Sequence, residues 1–146
     1  MDWVQRSLVL PTHSLGFYPI TQNILRELPE IQKVQTGLLH LFLQHTSAAL
    51  TINENADSDV LEDLISGLDR LAPETASYRH IIEGKDDMPA HIKSSLFSVS
   101  LSIPVANGQL LLGVWQDIYL CEFRRIPHRR HLILTLQGIF QEVPKT

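Results

Sequence analysis

Seven consecutive residues alternate without a fault: Phe97, Val99, Leu101 and Ile103 against Ser98, Ser100 and Ser102. A period of two places every apolar side chain on one face of a strand and every serine on the other, so the stretch predicts a half-buried antiparallel strand and excludes a helix. Pro104 is expected to end it. Asn107-Gly108 predicts a tight hairpin turn, after which Gln109 to Phe123 returns as one long strand, with Gly113 marking a bulge or bend. His131 to Gln137 alternates again, with Leu132, Leu134 and Leu136 turned inward.

Earlier in the chain, Trp3 to Leu10 predicts a first strand with Val4, Leu8 and Leu10 on one face, interrupted by Arg6. Ile20, Ile24, Leu28 and Ile31 follow at helical spacing, with Thr21 as a cap and Pro29 at the end. Leu38 to Leu43 is an apolar run short enough for a strand covered on both faces. His40 inside it is an odd number of residues from His45, which puts the two on opposite faces, so His40 stays outside any site. Residues 53–59 predict a turn and helix start, with Asp57 or Asp59 as cap and Glu62 completing a box if Asp59 is the cap. Val60, Leu61, Leu64, Ile65 and Leu68 form the stripe of a helix that stops before Pro73. The expectation is one α+β domain over residues 1–146, sandwich-like and dominated by antiparallel sheet, with two or three short helices.

Composition narrows the function. The net charge is -4, and ten of the sixteen acids lie between Glu54 and Asp87, while Arg124, Arg125, Arg129 and Arg130 cluster later. An acidic segment suits a metal and a basic cluster suits an anion, whereas nucleic-acid binding needs a broad basic face. No apolar run approaches the length needed to cross a bilayer. The single cysteine, Cys121, excludes an internal disulfide and reads as a small buried hydrophobe in a reducing compartment, so a cytoplasmic, soluble and unprocessed chain is expected.

The apolar run ends in chemistry. Gln44-His45-Thr46-Ser47 and then Asn53, Glu54, Asn55 and Asp57 form a polar cluster that is costly to bury unsatisfied. Between Tyr78 and His91 the breakers Gly84 and Pro89 and the density of charge predict an irregular loop carrying His80, Glu83, Asp86, Asp87 and His91. These are residue types that hold divalent metals or move protons. Three histidines from two segments can make a zinc-type centre with an open position, and His45 and His91 are expected to reach one ligand.

In this order, Gln44-His45-Thr46-Ser47, Asn53-Glu54-Asn55-Ala56-Asp57, Pro89-Ala90-His91-Ile92-Lys93 and Gly113-Val114-Trp115-Gln116 resemble the YjbQ family over nearly the whole chain. The resemblance implies a compact α+β domain, a homotrimer and a secondary thiamine-phosphate synthase activity. Carried over residue by residue, the family's polar positions fall on His45, Thr46, Ser47, Asn53, Glu54, Asp57, His80, Glu83, Asp87, His91, Trp115, Gln116 and Glu122. Two departures stand out. Asp117 follows Trp115-Gln116 where the family commonly has glycine, and the basic turn reads Arg124-Arg125-Ile126-Pro127-His128-Arg129-Arg130 where glycine is usual.

The activity so implied joins hydroxymethylpyrimidine diphosphate to a thiazole phosphate with loss of pyrophosphate, a transfer that needs a divalent ion and cations on the leaving group. His45, Ser47, Asp57, His91 and Glu122 are then the catalytic candidates. His45, His80, Asp87 and His91 would hold magnesium or zinc. Thr46, Asn53, Glu54, Trp115 and Gln116 would contact a small phosphorylated substrate, and Arg124, Arg129 and Arg130 its phosphates. Competing readings are a metal- or histidine-dependent hydrolase with His45 or His91 as base beside Ser47, and a small-molecule binding module without turnover.

Overall fold

The computed structural model describes residues 1–142. In chain order the elements are β1 (Asp2–Val9), β2 (Gly16–Pro19), α1 (Thr21–Glu27), a short 3-10 helix (Pro29–Lys33), β3 (Val34–Leu43), β4 (Ala48–Glu54), α2 (Ser58–Leu71), α3 (Asp87–Leu96), β5 (Ser100–Ala106), β6 (Gln109–Leu110), β7 (Gln116–Glu122) and β8 (His131–Phe140). Two antiparallel sheets result, one of five strands in the order β1-β8-β3-β5-β6 and one of three in the order β2-β7-β4. The α+β, sheet-dominated class read from the sequence is what the chain adopts. Among the described residues no helix is long and apolar enough to cross a membrane.

From Ser100 onward the alternating residues do what period-two geometry requires, whereas Phe97 to Val99, expected to begin that strand, lie outside β5, with Phe97 closing α3. Leu39, Leu41 and Leu43 of β3, Ile103 and Val105 of β5, and Leu132, Leu134 and Leu136 of β8 meet Ala48 and Leu50 of β4 and Ile118 and Leu120 of β7 in one buried cluster between the sheets. Each fully buried leucine there contributes about 2 kcal/mol by leaving water. Ile20, Ile24, Leu28 and Ile31, predicted from their helical spacing, join the same cluster. The other face of the small sheet, through Ala49, Tyr119, Cys121 and Phe123, packs on Leu68 of α2 and Ala90 of α3. The result is three layers: large sheet, small sheet and helices.

Several local expectations change. The Asn107-Gly108 hairpin forms, with φ of 48° and 76° as a two-residue turn of this hand requires. Pro104, however, lies inside β5 and does not end it. Its carbonyl accepts from Leu111 N–H, so its nitrogen faces the short β6 side, and no ladder bond to β3 is lost. The long return strand is two strands, since β6 pairs with β5 in the large sheet while β7 crosses to the centre of the small one. Residues 48–54, read only in part as a turn, form edge strand β4. The apolar run of β3 is covered on one face only, for Leu38 and Phe42 are 43% and 44% exposed. Thr21 does not cap α1; its hydroxyl pairs with the Asp117 carboxylate and accepts from Ile118 N–H. The segment 87–96, the start of which, up to His91, was expected to be loop, is helix α3, because Pro89 sits in its first turn, where a missing N–H costs nothing.

Arg6, which interrupted the apolar face of β1, reaches across to Glu30 through two contacts of 2.6 and 2.5 Å and to the Glu27 carbonyl at 3.0 Å. The pair ties β1 to the segment after α1. The hydrogen bond from Arg6 lowers the Glu30 carboxyl from its ordinary 4.5 to about 2. A carboxyl lowered in the folded state stabilises the fold above its unfolded value and loses that contribution as pH falls from 4.5 toward 2. Glu30→Gln should therefore lower the urea midpoint at pH 7 and leave it unchanged relative to the parent near pH 2. An equal loss at both pH values would show that the effect is packing and not the ion pair.

Candidate active site

Helix α3 supplies the frame. Asp87 in its first turn and His91 one turn later lie on one face, since positions four apart are neighbours on a helix. His80 comes from the loop before it. His80 Nε2 lies 2.6 Å and His91 Nε2 3.1 Å from the same oxygen, Asp87 Oδ2. The two rings sit 5.4 Å apart, centroid to centroid.

His91 and Asp87 are each aimed by a partner outside the cluster. His91 Nδ1 donates to the Thr46 carbonyl at 2.8 Å, a carbonyl being unable to donate, so in the neutral ring Nε2 carries the lone pair that faces Asp87. Asp87 Oδ1 accepts from Arg124 Nη1 at 2.7 Å, which leaves Oδ2 for the imidazoles. Arg124 also donates from Nε to Asp86 at 3.1 Å and from Nη2 to the Glu83 carbonyl at 2.8 Å, fastening the loop that carries His80. Burial opposes ionisation of Asp87, yet the His80 hydrogen bond and the Arg124 charge hold its carboxyl below the ordinary value.

The donor set decides which ion suits the site. Two imidazole nitrogens and one carboxylate oxygen, all within 4.8 Å of one another, match zinc and related first-row metals. Magnesium, which takes oxygen ligands, does not suit them. His80, Asp87 and His91 thus form the group able to hold a metal among the described residues. His45 is not part of it.

His45 nevertheless lies close by. It lines, with His91, Thr46, Phe42 and Phe97, a cavity of about 670 Å³ beside the cluster, so the two histidines do face one ligand space. Its Nε2 accepts from His131 N–H at 2.8 Å, and burial followed by the Arg130 charge lowers its pKa, which keeps the ring neutral. Among the described residues, no arginine or lysine lines this cavity.

Ser47, Glu122 and Arg130 come together elsewhere. Arg130 donates from Nε and Nη2 to the two Glu122 oxygens, both at 2.6 Å, and from Nη2 to Ser47 Oγ at 3.0 Å, all within the protein interior. Arg124 and Arg130 therefore spend their guanidinium groups on carboxylates, against the expectation that they bind phosphate. Arg129 is exposed.

The remaining candidates sit at the opposite end of the small sheet. Ala48 pairs with Glu122 and Glu54 with Gln116, and the six steps between them span roughly 20 Å of strand. Asn53, Glu54, Trp115 and Gln116 lie at that far end, where Asn53 Oδ1 accepts from Glu54 N–H and Gln116 Oε1 from Gly113 N–H. Asp57 caps α2 by accepting from Asp59 N–H at 2.9 Å, so Asp59 is not the cap and no box with Glu62 forms. Glu83 offers its backbone carbonyl and an exposed side chain. Burial pushes the Cys121 thiol well up, which leaves no thiolate for catalysis. Arg124, expected on a phosphate, instead orients Asp87.

A YjbQ-like UPF0047 family model matches residues 6–139. The chain belongs to the YjbQ family. A YjbQ protein of Escherichia coli O157:H7 is 47% identical over 136 residues, covering 93% of this chain and 99% of that one. A UPF0047 protein of Synechocystis is 44% identical, covering 92% and 91%. Among solved structures, an uncharacterised YjbQ protein from Clostridium acetobutylicum superposes with a TM-score of 0.76 at 37% identity, covering 92% of this chain and 99% of that one. A protein of unknown function from Sulfolobus solfataricus reaches 0.83 at 21% identity, covering 94% and 99%, and shows the shared fold.

Because Asp57 is a cap and lies beyond the far end of β4, Asp57→Ala should destabilise the protein by about 1 kcal/mol and leave its metal affinity unchanged. Urea unfolding and a zinc titration of the same variant check this. Loss of metal binding by a folded Asp57→Ala protein would return the residue to the site.

Proposed function

We propose that the protein is a metal-dependent enzyme whose His80, Asp87 and His91 bind a zinc-type divalent ion and act on a small molecule held in the adjoining cavity. One observation carries this: Asp87 Oδ2 faces two imidazole nitrogens, and the tautomer of His91 set by Thr46 turns a lone pair toward it. A lone pair on His91 Nε2 and a carboxylate oxygen 3.1 Å apart repel unless a proton or a cation lies between them. Two imidazoles, one carboxylate and a cavity on the open side are the elements of a catalytic zinc centre.

A bound ion of this kind activates water and polarises phosphoryl or carbonyl oxygens. The protein's own groups do the rest. Arg124 holds Asp87 and the Thr46 carbonyl holds His91, so neither ligand has to reorganise on binding. Phe42 and Phe97 give the cavity apolar walls.

The specific reaction implied by the resemblance is thiamine-phosphate synthase-type transfer on a phosphorylated substrate. Its leaving diphosphate needs cations, and with Arg124 and Arg130 engaged, the metal and the exposed Arg129 are the groups that remain. Arg129→Ala should then weaken binding of phosphorylated ligands about tenfold or more without loss of stability, since a solvated guanidinium adds little to the fold. Unchanged binding would return that turn to the surface. Hydrolysis at the same centre is the second reading, favoured by the absence of cationic side chains from the cavity lining. Exposed Trp3, Leu38, Phe42 and Ile139 on the outer face of the large sheet support self-association, as the homotrimer the resemblance implies. A cytoplasmic location accords with the single buried thiol.

The test of the metal reading is direct. The purified protein, stripped with chelator and titrated with zinc, should bind one ion per chain. Asp87→Asn and His91→Ala should each lose it. Binding unchanged in both variants would refute the site.

A further inference from the structure

The buried Glu122–Arg130 pair was read from sequence as catalytic and phosphate-binding machinery, yet neither residue faces the cavity. Its contacts instead run toward both supports of the metal cluster. On one side, Arg130 Nη2 donates to Ser47 Oγ at 3.0 Å and to the Ser47 carbonyl at 3.2 Å. Ser47 directly follows Thr46, whose carbonyl accepts from His91 Nδ1. The next residue, His131, pairs with the same loop: its N–H donates to His45 Nε2, and its carbonyl accepts from Gln44 N–H. On the other side, Glu122 Oε1 accepts from Arg124 N–H at 3.0 Å, and Arg124 Nη1 reaches Asp87 Oδ1. One ion pair therefore fixes the loop that aims His91 and the backbone that aims Arg124 at Asp87.

We infer that Glu122 and Arg130 are positioning residues for the His80–Asp87–His91 centre, acting through Thr46 on His91 and through Arg124 on Asp87. The inference rests on the proposed metal reading but does not follow from it. A fully buried ion pair is weak evidence of stabilisation, because the cost of stripping water from both charges offsets their attraction, and well-packed apolar replacements often fold as well. What apolar replacements cannot reproduce is the orientation: the grip on Ser47, the second oxygen on Arg124 N–H, and the fixed planar fork between them.

The experiment uses the full chain with both residues replaced, Glu122→Leu with Arg130→Met, and Arg130→Lys as a second variant that keeps the charge but cannot span Glu122 and Ser47 with one fork. Two readouts are taken on folded protein: zinc affinity, and the His91 ring-nitrogen shifts without metal, which report its tautomer. The parent should show a single Nδ1–H tautomer. Both variants should bind zinc about tenfold more weakly, the scale of outer-shell effects on metal sites, and should show tautomer averaging at His91. If the double variant fails to fold, Arg130→Lys decides by the same two readouts. Parental zinc affinity together with an unchanged His91 tautomer in a folded variant would overturn the inference. A parent that binds no zinc, with tautomer averaging only in the variants, would sink the metal reading and leave the positioning role standing.

Discussion

A carboxylate buried between packed sheets has to find a cation, and the position of Glu122 at the end of β7 sets where much else must go. Glu122 shares the face of Ile118 and Leu120, so the period of the strand carries it inward. Arg130, at the entrance to β8, answers it with two hydrogen bonds and spends its remaining reach on Ser47. That arrangement joins the large sheet, the small sheet and the β3–β4 loop at one point. Removing one partner would leave a buried charge unpaired, which costs several kcal/mol, so the pair stands or falls as a unit.

From that point the chemistry is assembled by short steps. Arg124 leaves β7 two residues after Glu122, with its N–H held, and crosses to Asp86 and Asp87 at the start of α3. Asp87 divides its two oxygens between a fixed guanidinium and a pair of imidazoles. The helix delivers His91 one turn further on, and the β3–β4 loop supplies the carbonyl that orients it. Four separate segments thus meet around one carboxylate, and Asp87 and His91 are each braced before any ion arrives. The cavity that opens beside His91 carries His45 and aromatic walls but, among the described residues, no arginine or lysine, so charge on a ligand has to be met at the centre itself.

Much of the scaffold was legible because it obeys a single period. The serine and apolar alternation around Leu101 and the leucines of β8 could only be strands with one face inward, and the helical spacing of Ile20, Ile24 and Leu28 marked α1 and its two ends, with Ile31 carried by the 3-10 helix that follows. Reading failed where tertiary context reversed a local signal. Pro89 and the charges around it suggested a loop, but a proline in the first turn starts a helix as readily as it breaks one. Had α3 been recognised, Asp87 and His91 at four-residue spacing would have marked the face of the site. Pro104 was tolerated because β6 is too short to demand its missing N–H. The arginines looked free to take a phosphate because nothing local pairs Arg124 with Asp87, 37 residues away. The polar motifs of the family, continuous in sequence, fall into two groups at opposite ends of β4, a division set by strand length and invisible to spacing.

The central claim is that Asp87 Oδ2 and the two Nε2 atoms share one divalent ion. X-ray absorption at the zinc edge of the loaded protein reads those ligands directly. The account predicts two imidazole nitrogens and carboxylate oxygen at about 2.0–2.2 Å, with the remaining position filled by a light atom from solvent. A shell of oxygen atoms alone, with no imidazole scattering, would contradict it.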